Sequence, residues 1–405
     1  MSVYLSDVFS GVAMKYLSAV EANPEKSNQR EFNGVQALKR VFGEGAKKEV
    51  HTRFVWFGPD GESLACDGHI SWYDSRGKHV KRSEHRLYFS PTDVSRRMRA
   101  GDALFVARKT DGTALVVVTP TDETAYRQLV WLFGIDADGG GKLQVVDLSR
   151  VPPSEVGFAA RFIIEELGLE VGDGGEDYFE EPTERFGNTF PTTAAFSEFA
   201  RSTVRDVSVL DEPDRALVRW LEREEILFRK LEHGIVADRL RAGFDGDDGP
   251  NVDLFLSFSL SVQNRRKARA GQALEHHLGE IFKIHEVKFE RGARTENQSR
   301  PDFLFPGSAE YHDAGFPTHR LSMLGAKSTC KDRWRQVLSE AARIRNKHLL
   351  TLEPGISLSQ TNEMRSNNLQ LVLPAELHET YLPQQRSSLM DLSGFIALAR
   401  EREGR

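Results

Sequence analysis

The stretch Arg300 to Glu340, RPDFLFPGSAEYHDAGFPTHRLSMLGAKSTCKDRWRQVLSE, decides the reading of this chain. Pro301-Asp302 leads an apolar strand, and Lys327 ends a second apolar run, Leu321 to Ala326. Lys331-Asp332-Arg333 then opens a predicted amphipathic helix that carries Glu340. Carboxylates hold a hard cation through oxygen, and such a cation acidifies water and neutralises phosphate charge. A lysine between them can stabilise a crowded phosphate or orient the attacking water. Two acids and a lysine delivered in this way are the equipment of a magnesium-dependent phosphodiesterase, so the layout points to a nuclease.

In the commonest nuclease pattern the second acid stands two residues before the lysine. Here that position is Gly325, which has no side chain to offer. Glu340, thirteen residues after Lys327, is the expected replacement, and Glu275 in ALEHHLGEIF is a further candidate metal ligand or an ordinary helix acid. Lys331, Asp332 and Arg333 present donor, acceptor and donor in a row. Lys and Arg suit guanine O6 and N7, and Asp suits the cytosine N4 amine, so the triplet is expected to read a G·C edge or else to contact phosphate alone. Arg265, Arg266, Lys267 and Arg269 form a less specific cluster, for which phosphate clamping is the default.

Much of the text after Phe190 closely resembles the EcoRII family of type II restriction endonucleases. The resemblance rests on NRRKARAG (Asn264–Gly271), PDFLFP (Pro301–Pro306) and EYHD (Glu310–Asp313). It extends through the run from Met323 to Gln336, with TCKDRWRQ, and HLLTLEPGISL (His348–Leu358). It implies a C-terminal restriction-endonuclease-like α/β domain of the PD-(D/E)xK type, in which Asp302, Lys327 and Glu340 match the metal, lysine and helix-glutamate positions. It further places Tyr311 and Lys331 in the catalytic site and implies a CC…GG target read by Lys331-Asp332-Arg333. Over the N-terminal part the resemblance is one of layout, and implies a B3-like pseudobarrel that binds effector DNA.

Composition agrees with a DNA enzyme once charge is read locally. The net charge is −6, yet Arg76 to Lys109 holds ten Lys/Arg against three acids, while Glu170 to Glu184 is strongly acidic. Local sign governs contact with phosphate. At 405 residues, 39% hydrophobic and 28% charged, the chain is expected to form two or three domains. The expected layout is an effector domain over 1–168, an acidic linker over 169–187 and a catalytic domain over 188–405. No apolar run reaches the roughly 20 residues that span a bilayer, and MSVYLSDVFSG lacks the form of a signal peptide. Cys66 and Cys330 stand in separate predicted domains, which argues for reduced thiols in a cytoplasmic protein and against a disulfide or thiolate zinc site.

Before the linker, RFVWFG, HISWYDS, HRLYFS, DALFVARK and ALVVVTP read as strands, with TAYRQLVWLFG a helix. This spacing predicts a small, mostly antiparallel β-barrel. Asn28, Gln29, Arg30, Glu31 and Asn33 form a polar loop suited to adenine edges. Lys81, Arg82, Glu84, His85 and Arg86 form an arm in which Arg82, Glu84 and Arg86 share a face by strand alternation. That donor-acceptor-donor row suits base edges, with an exposed face of cross-strand ion pairs as the alternative. Trp56, Trp72 and Tyr73 suit a barrel core or a flipped base. His276 and His277, being adjacent, point to different helix faces and are read as surface or DNA-proximal residues.

The combined expectation is a homodimeric, Mg2+-dependent endonuclease that cuts both strands of duplex DNA, activated when a second site occupies the N-terminal domain. A DNA-binding defence or regulatory protein that does not cut, or one triggered by modified DNA, is the alternative.

Overall fold

The computed structural model describes residues 4–22, 30–32, 35–44, 48–59, 62–76, 84–136, 143–150, 156–169, 182–246, 249–330 and 334–404. The chain divides into two compact units. The first is Met1–Gly174 with Pro354–Gln360 and Thr380–Leu382; the second is Gly175–Glu353 with Thr361–Glu379 and Pro383–Arg405.

The first unit is built on eight strands: β1 (Phe9–Tyr16), β2 (Glu31–Phe32), β3 (Lys48–Phe57), β4 (Ser63–Asp74), β5 (His85–Phe89), β6 (Ala103–Lys109), β7 (Ala114–Thr119) and β8 (Gln144–Asp147). Their order is β2-β5-β4-β3-β7-β6-β1-β8, and every neighbouring pair except the parallel β3–β7 is antiparallel. Among the described residues β2 and β8 remain the edges, so the barrel expected from strand spacing is a curled sheet that hydrogen bonding leaves open.

The apolar run ALVVVT in β7 is buried throughout, because the sheet has a core on each face. Alternation sends Leu115 and Val117 to a layer with Phe9, Phe105 and residues of two helices, α1 (Thr124–Phe133) and α2 (Phe158–Glu166). It sends Ala114, Val116 and Val118 to the opposite layer with Phe54, Trp72 and Phe89. Trp56 and Trp72 are therefore core residues. Helix α1 stops at Gly134, whose left-handed backbone (φ 60) a glycine adopts without Cβ strain.

The second unit carries three packed helices ahead of its sheet: α3 (Thr193–Ser202), α4 (Pro213–Ala242) and α5 (Val252–Ile284). Thr192 caps α3, accepting a bond from the Ala195 N–H at 3.3 Å. Asn251 caps α5 in the same way through Leu254. Helix α4 runs for 30 residues, through Gly234, and α5 is one helix of 33. Beyond them a mixed sheet has the order β9 (Glu290–Arg291), β10 (Phe303–Phe305), β11 (Ser322–Lys327), β12 (Lys347–Thr351), β13 (Leu369–Val372). The first three strands pair antiparallel and the last three parallel. Both central strands are buried, as layers of helix on an α/β sheet require.

Helix α5 lies on β11, and a short helix, α7 (Trp334–Leu338), lies on β12; α6 is the turn-long helix Ser308–His312 and α8 is Leu392–Glu403. Phe282 of α5 meets Phe303 and Phe305 of β10 at 5.3 and 5.2 Å between ring centroids, and Phe305 meets Phe395 of α8 at 5.4 Å. This aromatic cluster fixes β10, and with it Asp302 at its start. Among the described residues no helix is long and apolar enough to cross a membrane.

Candidate active site

Antiparallel pairing of β10 and β11 brings the residue before one strand beside the end of the next. Oδ2 of Asp302 accepts bonds from the Ala326 N–H at 2.7 Å and from Lys327 Nζ at 2.8 Å. Both side chains keep some solvent contact, 16% for Asp302 and 23% for Lys327. Glu340 completes the group, but from a turn, since α7 ends at Leu338. Burial first, and then the negative charge of Asp302, push its carboxyl up to about 7; Lys327 and Lys347 pull the other way. Its Oε2 is buried and has no hydrogen-bond partner among the described residues.

Gly325 shows why the second acid comes from elsewhere. A Cβ there would meet Val337 of α7 at 3.0 Å and Leu349 of β12 at 3.5 Å. The helix fills the space that a side chain on β11 would need, and the turn after that helix supplies Glu340 in its place.

An orphaned buried carboxylate oxygen beside a second carboxylate fits a divalent cation, which would relieve both the repulsion and the unmet bond. Among the described residues no cluster of three or more His, Cys, Asp or Glu forms a closed cage. Two acids rather than a closed cage fit the donor chemistry of magnesium, which keeps several non-protein ligands.

Tyr311 is fully buried on α6. Its hydroxyl donates to Glu296 at 2.5 Å and accepts from the Arg343 N–H at 3.2 Å, so it faces the turn after Glu340. Burial, then Glu296, push the phenol up to about 12. Glu296 was missed in the sequence because it opens a three-residue 3-10 turn before Asp302, too short to leave a periodic signal. Glu275 pairs with Arg291 at 2.7 Å, and Arg291 stands in register with Phe303, next to Asp302. Lys331, Asp332 and Arg333 lie outside the described residues.

The basic cluster on α5 divides. Arg265 is exposed and lies over the Phe190 ring at 4.5 Å. Arg266 bonds to the buried Glu232 at 2.7 Å while half exposed itself. Arg269 is 8% exposed, bonded to Glu224 and Glu225 between α4 and α5, so it serves packing rather than a phosphate. The side chain of Lys267 lies outside the described set. His277 is also internal, contrary to its surface reading. Its Nδ1 accepts from Arg201 at 3.2 Å and its Nε2 lies 2.9 Å from Glu224. Its pKa is lowered, chiefly by burial. His276, on another face, lies 3.0 Å from Arg291. Adjacent residues do diverge on a helix, but α4 covers the face that holds His277.

In the first unit, Glu84 and Arg86 share a face, bonded to each other at 3.3 Å, with Arg86 also 3.0 Å from Glu31 and Tyr73 donating to Glu31 at 2.9 Å. His85 points inward, its ring 4.8 Å from Trp72. Arg30 is described at the edge of β2, where its carbonyl accepts from Phe89. Asn28, Gln29, Asn33, Lys81 and Arg82 lie outside the described residues.

Residues 228–396 match the family described as EcoRII C terminal. Over 209 residues the chain is 43% identical to the type II restriction enzyme EcoRII of Escherichia coli, which is 51% of this chain and 50% of that protein. The chain thus aligns with about half the length of its curated relative. Among solved structures, a complex of metal-depleted Ecl18kI with uncleaved DNA is 17% identical and covers 54% of this chain and 81% of the other, with a TM-score of 0.44. The PspGI–substrate DNA complex is 15% identical, covering 56% and 96%, with a TM-score of 0.43.

Proposed function

We propose that this chain, EcoRII-like over its C-terminal part, is a type II restriction endonuclease that hydrolyses both strands of duplex DNA at a CC…GG-type site. The observation that carries this reading is the meeting of Asp302, Lys327 and Glu340 at the adjoining ends of β10 and β11, inside the matched region. Asp302 and Glu340 would hold Mg2+, with Glu275 a further candidate beside Arg291. Such an ion, when bound, supplies Lewis acidity toward phosphate and water. Asp302 keeps the ammonium of Lys327 oriented over the site, where it can bear on a phosphate oxygen. Lys331, Asp332 and Arg333 are assigned to base reading by resemblance, with Arg265, Arg266 and Lys267 near the backbone. Each chain offers one such site, so cutting two strands of a palindrome calls for a homodimer. The first unit is assigned a B3-like role, binding a second DNA site through the region around Arg30, Glu84 and Arg86.

Digestion of unmethylated plasmid carrying one or two CC(A/T)GG or CC(C/G)GG sites tests the proposal. The expected result is Mg2+-dependent cutting at CC…GG, faster with two sites and lost in Asp302→Ala. Tight binding without cutting by the native chain would replace this reading with that of a non-cleaving DNA-binding protein.

A further inference from the structure

Glu340 stands just before a turn that its own backbone closes through the Ile344 N–H bond to the Ala341 carbonyl at 2.9 Å. Ala341, which follows it, sits at φ 47, a left-handed conformation that costs a non-glycine residue about 1 kcal/mol. The turn is held from two sides. The Ala342 N–H donates to Glu296 at 3.1 Å, and the Arg343 N–H donates to the Tyr311 hydroxyl, itself bonded to Glu296. From below, Nζ of Lys347 donates to the carbonyls of Ala341 at 3.2 Å and Ile344 at 2.9 Å. Lys347 opens β12 and is 6% exposed, so its ammonium is anchored in the sheet.

We infer that Lys347 and Glu296 are positioning residues that lock the Ala341–Ile344 turn and so hold the Glu340 carboxylate against Asp302, with Tyr311 acting through the same clamp. The inference rests on the metal-site reading above. A buried lysine used only for packing would be replaceable by an apolar chain of equal length; here both acceptors belong to the turn that carries the second carboxylate. Partners that orient a ligand are worth about 10- to 100-fold in metal affinity or activity.

The test measures Mn2+ binding to the full chain by loss of the free-ion electron paramagnetic resonance signal, beside cleavage kinetics. Lys347→Met and Glu296→Ala should each weaken Mn2+ binding by about tenfold or more. They should lower kcat while leaving KM for DNA near native, and Lys347→Arg should recover part of the loss. Asp302→Ala is the control. Native Mn2+ binding and kcat in both variants, with binding lost in Asp302→Ala, would overturn the clamp. Native binding in Asp302→Ala would instead overturn the metal site. Should Lys347→Met fail to fold, Glu296→Ala decides alone, since Glu296 lies at the margin of the core.

Discussion

At the scale of single residues, the site depends on a glycine as much as on its acids. Gly325 occupies the position where a second carboxylate is usual, and Val337 lies 3.0 Å from where its Cβ would be. Gly325→Asp should therefore destabilise the second unit by about 3 kcal/mol, through overpacking and a buried unpaired charge. It should also fail to restore cutting to Glu340→Ala. Urea unfolding and plasmid cleavage check both, and recovered cutting would show that β11 can carry the acid after all. Asp302 and Lys327 were legible in the sequence because strand ends with fixed chemistry leave a local signature. Glu296 and Lys347 were not, because their roles come from contacts with residues some 46 and three to six positions away.

Among the elements, β strands were the more readable. HRLYF and ALFVARK alternate or run apolar in ways that fix both faces, and the structure places strands at His85–Phe89 and Ala103–Lys109. Helix α5 is less readable. Its apolar start, around Val252, Leu256 and Leu260, is exposed, while the core lies under Ala273, Leu278 and Phe282 further along. Composition says that a helix has apolar surface; only the sheet beneath it says which turns are covered. Strand β12 carries a consequence for pH. His348 is buried against Phe395 with its Nδ1 unpartnered among the described residues, and burial, then Arg402, bring it down to about 4. Its folded pKa lies below the ordinary value near 6.5, so the unfolded chain takes the proton first. The stability contributed by neutral His348 is full above about pH 6.5 and is lost as pH falls toward 4, by up to about 3 kcal/mol. The urea midpoint of the native chain should fall across that window more steeply than that of His348→Leu. Parallel curves for the two would remove His348 as the cause.

At the scale of the whole molecule, the sequence announced two bodies through a change from short strands to long helices around an acidic stretch. It did not announce that Pro354–Gln360 and Thr380–Leu382 group with the first body, since such membership depends on tertiary contacts that no local pattern records. It also suggested a small β-barrel, and among the described residues the strands form a curled sheet with two edges, because strand count and spacing do not determine whether the edges meet.

The two cysteines turn this division into a built-in reporter. Cys66 in β4 is half-buried, whereas Cys330 is fully buried, its thiol pushed up by burial and then by Glu353. A thiolate-seeking reagent such as a disulfide dye should count one thiol on the native chain, that of the first body. The second should appear only when the second body opens, so the time course of that second equivalent clocks the unfolding of that body without any engineered label. Two equivalents reacting together in native buffer would mean that the segment around Cys330 opens readily on its own.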